Sequence, residues 1–256
     1  MHADVPTPGY LVELWRGQEE KKPGPKRAVD LHSIARAGIE LADARGLAAV
    51  SMRSIAAALG FTSMALYRYL DSKDDLIAVM VDEAYGRPPQ FGCESAADDG
   101  LSVGSWRDRM THWARAELEV MLEHPWVLQS PTYEPPLTPN SVAWMEAALA
   151  ALDDAPMTDQ QKMGCLLTVT VYVHGQAQLV GDIRSRQAAA AEGTSYQQRL
   201  AAVVDATAMP RVAAMLAAGI LDDDNPSAEG SDDFEFGLRA ILDGAAADPT
   251  ARDRTR

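Results

Sequence analysis

Apolar residues recur along this chain at helical rather than alternating spacing. Leu31, Ile34, Ala35, Ile39 and Leu41 line one face of a predicted helix, Leu31–Arg45, which Gly46 can end. Ser51 can cap a second helix, whose Ile55, Ala56 and Leu59 share one face, with Ala56 small enough to let another helix approach closely. Gly60 supplies a turn. Phe61 and Leu66 then continue the buried face, leaving Thr62, Ser63, Met64, Ala65, Tyr67, Arg68 and Tyr69 outward or along a rim. Ser72 with Asp75 forms a capping-box variant ahead of Leu76, Ile77, Val79, Met80 and Val81, which predicts a helix over 73–85. Two short helices joined by a tight Gly turn, with polar and aromatic residues on the second, have the layout of a helix-turn-helix DNA reader.

A segment of loop composition follows at 87–104, with Pro88, Pro89 and an AADDG run, and helix signals dominate beyond it. Ser105 and Asp108 begin a helix that Pro125 stops. Thr138 before Pro139 begins one through Leu152, and Thr158 with Gln161 caps a long one to about Arg184. Thr194 with Gln197 opens another, bent or broken near Pro210 and closed by Gly219, and a last helix is predicted over 233–246 after the acidic DDDNPSAEGSDD loop. No strand alternation of useful length appears, so the expected fold class is all-α.

The same pattern divides the chain into a flexible basic arm over 1–28, a helix-turn-helix domain over 29–86, a larger helical body over 87–247 and a flexible tail over 248–256. The arm contains Pro6, Pro8, Pro23 and Pro25 and predicts only one helical turn, near 10–15. Its Lys21, Lys22, Lys26 and Arg27 read either as a solvated tail or as an arm that lies on phosphates or enters the minor groove.

Charge first argues against a nucleic-acid partner, because the formal net charge is -14 and DNA binding needs cations to replace condensed counterions. Its distribution resolves the conflict. Residues 16–73 hold ten Lys and Arg against six Asp and Glu, whereas from residue 87 onward there are thirteen against twenty-five. A mildly basic reader is thus attached to an acidic body. The two cysteines, Cys93 and Cys165, have neither zinc-site nor disulfide-framework spacing, which fits a reducing compartment. The amino terminus lacks a basic start followed by an apolar run, and no apolar run is long enough to span a bilayer. The expectation is a cytoplasmic protein with no membrane partner.

The stretch MRSIAAALGFTSMALYRYLDSKDDL, after a helix ended by Gly46, resembles the amino-terminal domain of the TetR family of bacterial repressors. The likeness covers roughly 31–85, with IAAALG, ALYRYL and SKDDL in the family's order and spacing. In the body, WRDRMTHWARAELEVMLEHPWVL is similar to the ligand-binding half of members nearest the tetracycline repressor. The resemblance implies an N-terminal DNA-binding domain and a C-terminal domain for ligand binding and dimerisation. Position by position, it implies that Arg53 reads guanine, a task suited to a planar fork that donates two hydrogen bonds to O6 and N7. Ser63, Met64 and Ala65, beside Thr62, take base-facing positions; being small or apolar, they would meet thymine methyls and groove shape. Tyr67 would touch base or backbone, and Arg68, Tyr69 and Lys73 would hold phosphates. The alternative is that Tyr67 and Tyr69 are core aromatics of an ordinary helical hairpin.

For the body, the resemblance implies a homodimer on palindromic double-stranded DNA, pairing through the long helix around 166–183 and the final helix with Phe234, Phe236, Leu238, Ile241 and Leu242. Those apolar faces could equally complete one protomer's core. Trp113, Met121, Trp126, Trp144, Met145, Met163, Tyr172, His174 and Gln176 could line a mostly apolar pocket for a small-molecule effector, or serve as plain core. His112, His124 and His174 form no close cluster with acidic partners, and each reads as a polar lining or surface residue; no metal or cofactor is expected. An all-α enzyme using His112 or His174 as general base is a rival reading. No nucleophile motif, phosphate loop, dinucleotide fingerprint or carboxylate pair supports it. A helix-turn-helix interaction module that no longer binds DNA is the other, which Arg53, Tyr67 and Lys73 oppose.

Overall fold

The computed structural model describes residues 7–19, 30–91, 104–130, 136–189, 195–220 and 231–247, and among them only helices and turns occur. The chain gathers into two compact units, 1–166 and 167–256. Compactness therefore divides it at a different point from the loop composition at 87–104.

The first unit begins with α1 (Gly9–Glu19), α2 (Leu31–Arg45), α3 (Met52–Leu59), α4 (Ser63–Leu66) and α5 (Lys73–Tyr85). Local chemistry fixes these boundaries. Asp30, Ser51 and Ser72 each accept a hydrogen bond from the third residue of the helix they cap, and each of those residues returns a side-chain acceptor to the cap amide. Gly60 takes φ 74 and ψ 26, a left-handed geometry that costs a glycine little, and the Phe61 amide behind it donates to the Ala56 carbonyl at 2.8 Å. The assigned α4 is only one turn long, although amide bonds from Tyr67 to Ser63 and from Leu70 to Leu66 carry the coil further.

Ile34, Ile55, Leu66, Leu70, Leu76 and Met80 close the core of this helix-turn-helix. Helices α2 and α5 pack closely: a Cβ at Gly38 would stand 2.6 Å from Met80 Sδ. Trp126 and Val127, from a 3-10 turn at Pro125–Gln129, are buried in the same cluster. They follow α6 (Trp106–Glu123), which starts at the Ser105–Asp108 capping box. Helix α7 (Pro139–Ala151) and the start of α8 (Asp159–Ala189) complete the unit.

Three sequence expectations are corrected here. Residues 9–19, expected within a flexible arm with one helical turn, form an eleven-residue helix. Its Leu11 is buried, Tyr10 and Leu14 pack on the reader core, and the Trp15 indole donates to the Leu137 carbonyl at 3.1 Å. Phe61, expected inside, is exposed. The helix expected to open at Thr194 is capped instead by Ser195, whose hydroxyl accepts from the Gln198 amide. Lys21, Lys22, Lys26, Arg27, Cys93, Thr194 and the 248–256 tail lie outside the described residues.

The second unit takes the remainder of α8, then α9 (Tyr196–Val203), α10 (Pro210–Ala217) and α11 (Ser231–Ala247). The expected break near Pro210 is real, since residues 204–209 leave the helix and Pro210 restarts it at a first-turn position. Tyr172 on α8 stacks on Phe234 of α11, with ring centroids 5.6 Å apart, and its hydroxyl donates to the carbonyls of Asp233 and Phe234.

Candidate nucleic-acid interface and effector region

Arg53 is the second residue of α3, directly after the Ser51 cap, and is exposed. Thr62 holds the N-cap position of α4 with extended backbone and makes no side-chain cap. Along the following turn Met64 is 74% exposed and Tyr67 47%, Arg68 is exposed, and Ser63 and Ala65 are half-buried. Tyr69 differs. It is half-buried against the reader core, so its ring serves packing. Lys73 is the exposed first residue of α5. Met64 and Tyr67 thus place apolar and aromatic surface on the outer side of a closed core, with Arg53, Arg68 and Lys73 as nearby cations on adjoining elements of one motif.

The residues expected to line an effector pocket separate into groups. Trp113 and Met121 on α6 and Trp144 on α7 are buried, while Met145 and Met163 are half-buried. The Trp113 indole donates to the Trp144 carbonyl at 3.0 Å, and the Trp144 indole to the carbonyls of Tyr85 and Gly86 at 3.3 and 3.1 Å. The rings form a chain of edge contacts, Trp113 to Trp144 at 5.9 Å and Trp144 to Tyr85 at 5.5 Å. This cluster joins α6, α7 and the end of α5. Both indole N–H groups are spent on backbone carbonyls, so the cluster offers a visitor ring faces and edges rather than donors.

Sequence reasoning passed over Glu117 in this region. It lies one helical turn from both Trp113 and Met121, is 4% exposed, and its Oε2 has no hydrogen-bond partner among the described residues. Burial pushes its carboxyl up to about 8. Burial and the charge of Glu117 together raise the Tyr85 phenol above its ordinary range, which puts the two groups within electrostatic reach. The signal was present in the sequence: Met110, Trp113, Ala114, Glu117 and Met121 follow one helical stripe in which four of five members are apolar.

Three other expected lining residues have structural employment. Trp126 is in the reader core, and its indole donates to Asp43 Oδ1 at 2.7 Å, a carboxylate that also meets the His124 ring 2.9 Å away. Tyr172 binds α11 as described, and the Gln176 amide donates to its hydroxyl at 3.1 Å. Trp126 thus packs in the reader core, and Tyr172, braced by Gln176, holds α8 to α11. His174 is half-buried, and burial lowers its pKa. His112 is exposed beside the Phe91 ring. A separate groove of about 280 Å³, bounded by α2, α5 and the end of α6, is lined by Arg36, Ile39, Glu40, Glu83, Ala84 and His124.

Helix α5 is tied firmly to α7. Buried Asp82 accepts from the Asn140 amide at 2.8 Å and from Asn140 Nδ2 at 3.1 Å, while that Nδ2 also donates to the Asp82 carbonyl. Desolvation raises the Asp82 carboxyl despite hydrogen bonds from Thr138, Asn140 and Ser141 that lower it.

Comparison with known proteins places this geometry. Residues 34–80 match the family model described as bacterial regulatory proteins, tetR family, and residues 100–248 match the tetracyclin repressor-like C-terminal domain. The HTH-type transcriptional repressor DrrR1 of Streptomyces coeruleorubidus is 32% identical over 236 residues, covering 91% of this chain and 83% of that protein. An HTH-type transcriptional regulator of Saccharopolyspora erythraea is 29% identical over 156 residues, 61% of this chain and 63% of its own. Among solved structures, Streptomyces coelicolor ActR in complex with actinorhodin superimposes with a TM-score of 0.68 at 21% identity, over 86% of this chain and 96% of that one, a likeness of fold.

Proposed function

Because the chain belongs to the TetR family of bacterial regulatory proteins, we propose that it is a dimeric transcriptional repressor, released from a palindromic operator when a small, largely apolar effector enters the helical body. The observation that carries this reading is the outward set on α3, on and either side of α4, and at the start of α5: Arg53, Thr62, Met64, Tyr67, Arg68 and Lys73 reach solvent above a closed apolar core. Arg53 reads guanine; Ser63, Met64 and Ala65 face thymine methyls and groove shape; Tyr67 touches base or backbone; and Arg68 and Lys73 hold phosphates. The protein works in the cytoplasm, on the nucleoid when bound.

A single reader spans few base pairs, so useful affinity calls for two of them, about 34–36 Å apart on successive turns of the duplex. A second copy of the chain supplies the other. Leu167, Val171 and Leu179 on α8 and Phe236 on α11 are exposed apolar side chains, and a symmetric four-helix contact would cover them. In the body, Trp113, Met121, Trp144, Met145 and Met163, all in the first unit, are the effector-facing set. An effector evicts the protein from DNA only by binding a DNA-incompetent arrangement several kcal/mol better. Helix α5 is the element it would pull, since Asp82, Tyr85 and Gly86 are bonded to α7.

The test is selection of genomic DNA fragments by the purified full chain, followed by footprinting. The expected result is protection of an inverted repeat that weakens steeply with salt and disappears when an effector is added. Retention of fragments with no common sequence would overturn the reading.

A further inference from the structure

A buried carboxyl group without a partner, one helical turn along α6 from Trp113, asks for an explanation. A Leu or Met at position 117 would fill the same space without the desolvation cost, so packing alone does not call for Glu. The neighbouring indoles do not satisfy it, because Trp113 and Trp144 both donate to backbone carbonyls. The unmatched atom, Oε2 of Glu117, lies on the α6 stripe of Trp113 and Met121 and within electrostatic reach of Tyr85.

We propose that Glu117 is the counter-ion for a positively charged nitrogen of the effector, with Tyr85, Trp113 and Trp144 as its aromatic surround, so that this chain senses an aromatic ammonium compound. The inference rests on the reading of the body as the effector-binding half. Rings with electron-rich faces attract cations, and a buried carboxylate supplies the opposite charge that water no longer screens. A neutral molecule gains only the apolar part of that environment.

The proposal carries a proton signature. Near neutral pH the Glu117 carboxyl holds its proton, since burial keeps it up to about 8, and burial keeps the Tyr85 phenol neutral as well. Entry of a cation favours the carboxylate, so one proton leaves Glu117 for solvent as the ion pair forms. A quaternary ammonium, which has no proton of its own to lose, isolates that event.

Three matched probes test it on the full-length protein: naphthylethylamine, its trimethylammonium analogue and the neutral naphthylethanol. Calorimetry in buffers of different ionisation enthalpy gives both affinity and proton release. Wild type is expected to bind the two cations about tenfold or more tightly than the alcohol, a difference typical of a desolvated cation–aromatic contact with an ion pair. It should release close to one proton to solvent with the quaternary probe near pH 6.5, falling toward none above pH 9. Glu117→Gln should bring the three probes to similar affinity, and Glu117→Met should do the same should the amide perturb folding. Equal binding of the alcohol by wild type, a cation preference that survives both substitutions, or failure of all three probes to bind overturns the proposal. A mobility shift on selected operator fragments separates the two readings. Cations that bind through Glu117 without releasing DNA leave this site standing and sink the effector role. Release by neutral compounds alone does the reverse.

Discussion

The Glu117 carboxyl ionises near 4.5 in an ordinary setting and near 8 where the fold buries it. Between those values the folded chain keeps a proton that the unfolded chain has shed, so stability falls as pH rises through the window and levels off above it. Glu117→Gln removes the titration. Its advantage in thermal melts is expected to be small near pH 4.5 and to grow to about 3–5 kcal/mol by pH 8 to 9. Parallel pH profiles for the two proteins would contradict the assignment. Arg53 gives the corresponding test at the DNA surface. Arg53→Ala should cost about 1–3 kcal/mol on the selected operator and relax one base position, whereas an equal loss on random DNA would make it a phosphate contact.

Helix-to-helix contacts carry two further expectations. A Cβ at Gly237 would run into the phenol of Tyr172, with Cζ at 2.6 Å, and that phenol is anchored by hydrogen bonds to Asp233, Phe234 and Gln176. Gly237→Val should therefore destabilise the second unit by about 1–3 kcal/mol despite losing a helix glycine, read by denaturant melts. Asp82→Ala takes the carboxylate acceptor from the Asn140 amide and leaves Asn140 Nδ2 only the residue 82 carbonyl, which should cost about 1–3 kcal/mol while loosening α5 from α7 in hydrogen exchange.

Where an element is fixed by its own neighbours, the sequence could be read almost to the residue. The boxes at Ser51, Ser72 and Ser105 close over three residues, and α3, α5 and α6 begin behind them. Where distant partners decide, it could not. The apolar spacing of Tyr10, Leu11, Leu14 and Trp15 was visible, but what holds α1 is a core it shares with α2 to α5 and a carbonyl 122 residues away. Thr194 and Ser195 each precede a Gln by three positions, so local chemistry could not choose between them. The outward row on α3 and α4 was legible because it is the complement of a short-range apolar pattern. The packing contacts of Trp126 and Tyr172 were not legible, because an aromatic residue looks the same in sequence whether it greets a ligand or a neighbouring helix.

Taken as a regulator, the molecule must reach DNA against a net charge of -14, which makes pairing of the readers decisive. Val171, 72% exposed on α8, and Phe236, 70% exposed on α11, are the natural place to break that pairing. Val171→Glu should convert dimer to monomer in light scattering and weaken operator binding about tenfold or more, with the folded helical content retained. A wild-type chain that is monomeric and still binds the inverted repeat tightly would refute the coupling of the two.

The reader's core also sets a rule for anyone building hybrid regulators. Trp126 and Val127 belong to it although they follow α6, and Asp43 on α2 is bound to both the Trp126 indole and His124. A chimera that transplants only the first ninety or so residues onto a foreign sensor would leave a hole where those side chains sit. It should express poorly or misregulate until Pro125–Gln129 travels with the graft.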